Sequence, residues 1–237
     1  MPILAIDTAT LVSSVAIIDN NKLLAELTLQ TKLTHSEVLM PHIQHILAMT
    51  KLKLNDLSGI AVSIGPGSFT GLRIGLTTAK SLAYAAKLPI VGVSTLAALA
   101  TQYPVPGIYI APLLDAQKGN VYTALYRWEA NELTEVVAPM VEAFDLALEK
   151  RKNLELPTVF IGESAVKQQA AISAAGGNIF VAKVHTIMPR AAGVGLLGIN
   201  MLNAGVRDDV MTLKPIYIRR SEAEELWEKR QEKQQNG

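Results

Sequence analysis

Glycines and hydroxyl residues crowd into one run, Gly65-Pro66-Gly67-Ser68-Phe69-Thr70-Gly71-Leu72-Arg73-Ile74-Gly75. The run joins an apolar, strand-like segment at 59–63 to a helix-compatible segment at 70–87, so it forms a strand-to-helix corner. Glycines there permit positive φ and close backbone approach, and the unpaired N–H groups of the following helix suit an anion. The spacing fits neither familiar phosphate motif. A P-loop needs Lys-Ser/Thr after its last glycine, where Leu72-Arg73 stands, and a dinucleotide fingerprint needs glycine where Thr70 stands. A corner packed tightly without a ligand is the other reading, and the residues alone leave both open.

Other candidate constellations are weaker. His35, His42 and His45 fall on one stripe of a helix at 36–50, shared with Val38 and Met49, at about 100° per residue. His42 and His45 would suit zinc only with a third ligand, but Glu37 lies off the stripe and no Asp or Glu is in register. A packing or interface stripe is therefore expected there. No serine sits in Gly-x-Ser-x-Gly, and Ser68 has no assignable His–Asp relay. Asp208-Asp209 reads as a solvated turn.

The elements that must hold these residues repeat. Strands are expected at 3–6, 13–18 and 23–29, a helix at 36–50, a strand at 59–63, a helix at 70–87, a strand at 89–93 and a short helix capped by Ser94. Tyr103-Pro104-Val105-Pro106-Gly107 interrupts regular structure, which places a lobe boundary at 103/104. Strands then follow at 108–113, 121–128 and 133–138, a helix at 141–151, a strand at 158–162, a helix at 164–174, a strand at 178–181 and a helix at 189–203 started by its proline. A three-strand meander followed by alternating helices and strands thus occurs twice. This predicts an α/β fold of two lobes, 1–103 and 104–217, each a mixed sheet flanked by helices, as in actin, Hsp70 and the sugar kinases. A charged terminal helix at 218–237 is expected to dock back on the first lobe through Ala223, Leu226 and Trp227.

In kinases of that architecture the first hairpin cradles a phosphate and its carboxylate organises magnesium, which makes Asp7, Thr8 and Thr10 candidates. Asp115, before Lys118-Gly119-Asn120, is the counterpart in the second lobe. For both, an ordinary turn closed by the side chain is the alternative.

The 237 residues carry 22 basic and 21 acidic side chains and a net charge of +1, which supplies no basic stripe for a nucleic-acid backbone. Aromatic residues make up 5%, too few for a base-stacking surface. Charges interrupt every apolar stretch short of about 18 residues, so no membrane span is expected. No basic region precedes the first apolar run, which argues against a signal peptide. The absence of cysteine removes disulfides and thiolate chemistry and points to the cytoplasm. With 49% hydrophobic residues and no membrane segment, a protein partner is expected.

The two first-lobe helices say where. Leu39, Ile43, Ile46 and Leu47 make a core face, while Val38, His42, His45 and Met49 extend the less polar arc around one flank. In the second helix Leu72, Leu76, Ala79, Ala83 and Ala86 form a core stripe, and Ile74, Thr78, Ser81, Leu82 and Ala85 a second one. Helices apolar on two sides suit a bundle with a partner's helices, against the alternative of an ordinary buried layer.

The chain also resembles a family. Its glycine run is similar to the hallmark of the TsaB (YeaZ) proteins of bacterial tRNA threonylcarbamoyladenosine biosynthesis. The opening Ile3-Leu4-Ala5-Ile6-Asp7-Thr8-Ala9-Thr10, His35-Ser36-Glu37, Val91-Gly92-Val93-Ser94-Thr95-Leu96, Asp115 with Val121-Tyr122, and Pro215-Ile216-Tyr217-Ile218-Arg219 match further family positions in order. The resemblance spans 3 to about 225. It implies the same two-lobed fold and pairing through the two helices above. It implies a non-catalytic subunit that binds and activates TsaD, which passes a threonylcarbamoyl group to N6 of the adenosine beside the anticodon. TsaE, a P-loop ATPase, would join a larger complex; tRNA would be met only through that complex; and the chain alone would form a homodimer. TsaD holds a metal through His-x-x-x-His, and Thr95 and Leu99 stand at those positions here, so no metal is expected. No cofactor is expected on this chain alone, with ATP or ADP left for the subunit junction. The rival readings are an independent ATP-dependent phosphotransferase of this fold and a metallopeptidase.

Overall fold

The structure, a computed structural model, describes residues 1–20, 22–30 and 34–219. The helix expected at 218–237 lies almost wholly outside the described residues. The first half builds β1 (Ile3–Asp7), β2 (Val12–Asp19), β3 (Lys22–Gln30), α1 (His35–Thr50), β4 (Ile60–Gly65), α2 (Phe69–Ala86), β5 (Ile90–Ser94) and α3 (Thr95–Ala100). Its five strands lie in the order β3-β2-β1-β4-β5, with β1 antiparallel to β2 and parallel to β4. The second half builds β6 (Tyr109–Asp115), β7 (Asn120–Glu129), β8 (Glu132–Ala143), α4 (Phe144–Arg151), β9 (Thr158–Ile161), α5 (Glu163–Lys167), α6 (Gln169–Ala174), β10 (Ile179–Val181) and α7 (Ala191–Asn203). Its sheet, ordered β10-β9-β6-β7-β8, repeats the meander and the parallel addition of the first.

Side-chain alternation along β1 explains the layers. Leu4 and Ile6 face α1 and α2, where they pack with Leu39, Ile43, Ile46, Leu76 and Ala79. Ile3 and Ala5 face the other way, onto Val194, Ile199 and Leu202 of α7. Each fully buried aliphatic chain contributes about 1.5–3 kcal/mol. That second face is built small: a Cβ on Gly198 would lie 2.3 Å from the Cβ of Ala61, so α7 lies almost on the sheet backbone.

Several sequence expectations shift. The helix expected from 141 begins at Phe144, because Val141 and Glu142 stay in β8, paired with Tyr122 and Val121. The helix expected at 164–174 breaks into α5 and α6 at Gln168. Pro189 does not start α7; Arg190 stands between them at the cap position. The first free N–H groups of α7 go instead to the first sheet, Ala191 N donating to Ser14 Oγ (2.8 Å) and Ala192 N to Glu26 Oε1 (2.9 Å). Nor do residues 104–217 stay together. After residue 190 the chain returns to the first sheet, where α7 covers one face and Asp208 bridges to Ile90 at its edge.

Candidate docking face and interlobe corner

The glycine run packs α2 onto the turn that follows β1. A Cβ on Gly67 would come 2.2 Å from the Ala9 carbonyl oxygen, one on Gly71 2.1 Å from the Thr8 carbonyl oxygen, and one on Gly75 2.1 Å from Thr8 Oγ1. These glycines, spaced by four, form a groove along α2 into which residues 8 and 9 fit. Thr8 Oγ1 donates to the Gly71 carbonyl (2.8 Å), and Ser68 N donates to the Ala9 carbonyl (2.7 Å). Ser68 Oγ caps α2 by accepting from Gly71 N (3.2 Å).

Asp7 serves this turn from inside. It is 1% exposed, and its Oδ1 accepts from Ala9 N (2.9 Å) and Ser63 Oγ (3.0 Å), while Oδ2 makes no hydrogen bond. Burial pushes its carboxyl up, against the opposing pull of Ala9 N, Ser63 and the charge of His35. Thr10 Oγ1 accepts from Val12 N, and the Thr10 carbonyl accepts from His35 Nε2 (2.7 Å), which assigns the imidazole proton to Nε2. The sequence gives no sign of that last contact, which ties the start of α1 to the same turn.

Beyond the turn a cleft of about 570 Å³ opens between the lobes, lined by Thr10, Ser68, Asp115, Gln117 and Lys167 among others. Asp7 and Thr8 are absent from its wall, so of the phosphate candidates only Thr10 and Asp115 reach it. Asp115 closes its own turn, Oδ1 accepting from Gln117 N (2.7 Å). Across the mouth, Phe69 and Tyr217 stack with centroids 4.2 Å apart, and Arg73 lies 4.0 Å over the Phe69 ring and donates from Nε to Tyr217 Oη (3.0 Å). Sequence reasoning missed this cluster, although Phe69, Arg73 and Tyr217 all lie in quoted motifs.

The outward faces of α1 and α2 divide differently from expectation at one place. Val38 is 7% exposed and belongs to the core, because α1 presses that position inward. His45, Met49, Ser81 and Ala85 are exposed, while His42, Ile74, Thr78 and Leu82 are half-buried; Ile74 and Leu82 also touch the core cluster. Met49 is 65% exposed and Tyr84 70%. His42 Nδ1 lies 3.5 Å from Ser13 Oγ, and burial, with the neighbouring His45, lowers its pKa.

Among the described residues no three His, Asp or Glu side chains converge as a metal cluster. Thr95 and Leu99 are buried at 0% and 1% exposure; Leu99 packs with Ile110, Leu114 and Tyr126. No helix among the described residues is long and apolar enough to cross a membrane.

The family model of TsaD, tRNA N6-adenosine threonylcarbamoyltransferase, matches residues 22–227. The tRNA threonylcarbamoyladenosine biosynthesis protein TsaB of Bacillus subtilis is 35% identical over 228 residues, covering 96% of this chain and 98% of that protein. YeaZ from Pseudomonas aeruginosa superposes with a TM-score of 0.74 at 22% identity, covering 91% of this chain and 99% of that one. A ROK hexokinase from Thermus thermophilus superposes at 0.51 with 10% identity, covering 86% and 100%, which places the fold in the actin, Hsp70 and sugar-kinase class. With a match over nearly its full length and the duplicated sheets to go with it, the chain belongs to the TsaB family of tRNA threonylcarbamoyladenosine biosynthesis proteins, within the wider group that the threonylcarbamoyltransferase model describes.

Proposed function

We propose that this chain is a non-catalytic subunit that binds and activates TsaD in threonylcarbamoyl transfer to N6 of the adenosine beside the anticodon, in tRNAs that read codons beginning with A. One observation carries the reading: α1 and α2 lie side by side and present Met49, Tyr84 and Ala85 outward, uncovered by the other described residues. Small residues such as Ser81 and Ala85 let a partner helix approach closely, and the exposed large side chains supply apolar area. Burial of Asp7, Thr95 and Leu99 agrees with a supporting role, since none of them presents a reactive group to the cleft. Partner binding raises activity by selecting the working conformation of TsaD, with no residue donated to the chemistry. TsaE joins through that assembly, tRNA is met there, and ATP or ADP belongs at the junction. Alone, the same face pairs two copies about a two-fold axis.

Ala85→Arg tests this more cleanly than a change at Ile74, because Ala85 is exposed and Ile74 also packs on the core. The variant should keep its melting temperature, run as a monomer and lose both co-elution with TsaD and support of tRNA modification. Association at the unaltered affinity would remove this face as the interface.

A further inference from the structure

Residues 208–219 follow α7 without regular structure, yet they are anchored at every few positions. Asp208 N donates to the Ile90 carbonyl and its Oδ2 accepts from Gly92 N (2.7 Å), fixing the start to β5. Lys80 Nζ, on α2, donates to the Met211 and Leu213 carbonyls (3.0 and 2.9 Å). Ile216 N donates to the Ile64 carbonyl (2.7 Å), and Gly65, at φ +119°, leaves room for the Ile216 carbonyl 2.6 Å from where a Cβ would stand. Tyr217 then enters the stack with Phe69 and Arg73. Finally Arg219 crosses to the other lobe, where Nη1 donates to the Ala116 carbonyl and to Gln117 Oε1 (3.4 Å).

That receiving turn is itself firmly set. Gln117 and Lys118 adopt positive φ of 62° and 53°, held by Asp115 and by Asn120 N donating to the Gln117 carbonyl. The segment therefore links the glycine corner of the first lobe to the β6–β7 turn of the second. Ile216, Tyr217 and Arg219 also line the cleft they cross.

We propose that residues 208–219 are a clasp: they hold the two sheets in their present arrangement and form part of the cleft wall, so that parting the lobes requires their release. The aromatic–arginine stack is the catch on one side and Arg219 the catch on the other. This goes beyond partner binding and stands without it.

The chain has no cysteine, so spin labels on cysteines placed at the exposed Asn55 and Ser173 report the distance between lobes without background. Measured in the full chain diluted with unlabelled protein, the parent should give one narrow distance. Tyr217→Ala and Arg219→Gln should each add a second, longer population. Amide exchange at 116–120 should also rise by about tenfold, as expected when the stack is lost in Tyr217→Ala or the hydrogen bonds from Arg219 to that turn are lost in Arg219→Gln. Folded variants that keep the parent distance and parent exchange would overturn the clasp. Should Tyr217→Ala fail to fold, Arg219→Gln decides, since it leaves the first-lobe stack intact.

Discussion

Gly71→Ala is the sharpest probe of the glycine groove, because two physical effects of opposite sign meet there. Alanine inside a helix is favoured over glycine by about 1 kcal/mol, so propensity alone predicts a more stable protein. Against this, the new Cβ would stand 2.1 Å from the Thr8 carbonyl oxygen and 3.3 Å from His35 Cδ2. The opposing atom is backbone, pinned by its neighbours, so α2 must shift. Overpacking of this kind costs about 1–3 kcal/mol, and the shift also weakens the Thr8 Oγ1 hydrogen bond, worth about 1 kcal/mol. The net expectation is a loss of about 2 kcal/mol, or about 4–8 °C in melting temperature for a chain of this size. Urea and thermal melts followed by circular dichroism measure it. Gly75→Ala supplies the internal control: its Cβ meets the Thr8 hydroxyl at 2.1 Å, so Thr8→Ala should relieve it, whereas Gly71→Ala in the same background should keep its overpacking cost against the residue 8 carbonyl and lose only the hydrogen-bond share of about 1 kcal/mol. A Gly71→Ala protein as stable as the parent would refute the packing argument.

Three further outcomes follow from charge and burial. Burial opposes ionisation of Glu142, but the hydrogen bonds from Lys150 and Arg151 outweigh it and hold its carboxyl below the ordinary value. Its stabilisation is therefore present above the unfolded carboxylate range and lost as pH falls through the folded value; Glu142→Gln should flatten the acid limb of a stability–pH curve. Arg151→Met, which strips the buried partner from that carboxylate, should cost about 3 kcal/mol in denaturant melts. His42, lowered chiefly by burial, favours the neutral fold, so stability should weaken as pH drops below the ordinary imidazole range. His42→Gln should remove that dependence in denaturant melts taken across the same range.

Periodicity made most of the fold readable. The apolar run that opens β1 and the repeat of a meander in each half made the sheets legible, because strands buried on both faces leave continuous apolar runs. What failed was non-local. Val141 and Glu142 have helix-compatible neighbours, yet pairing with β7 keeps them extended. Val38 sits on the flank of the α1 stripe by sequence, and only its packing shows that the core claims it. At the corner, the glycine spacing announced close approach but not what approached, which is the turn at Thr8 and Ala9 against Gly67, Gly71 and Gly75. The return of α7 to the first sheet had no local signal at all, since its small residues read equally well as any buried helix.

That return has a consequence for biogenesis. Ile3, Ala5, Ala16, Ala61 and Val91 are made early, but the helix that shields them ends at Asn203. A ribosome must therefore synthesise most of the polypeptide before the earliest strands can be sealed from water, and until then one greasy surface of the nascent sheet stays open to chaperones or to wrong neighbours. Fragments ending before Ala191 inherit the same deficit, so the first sheet stays open to aggregation until α7 has been made.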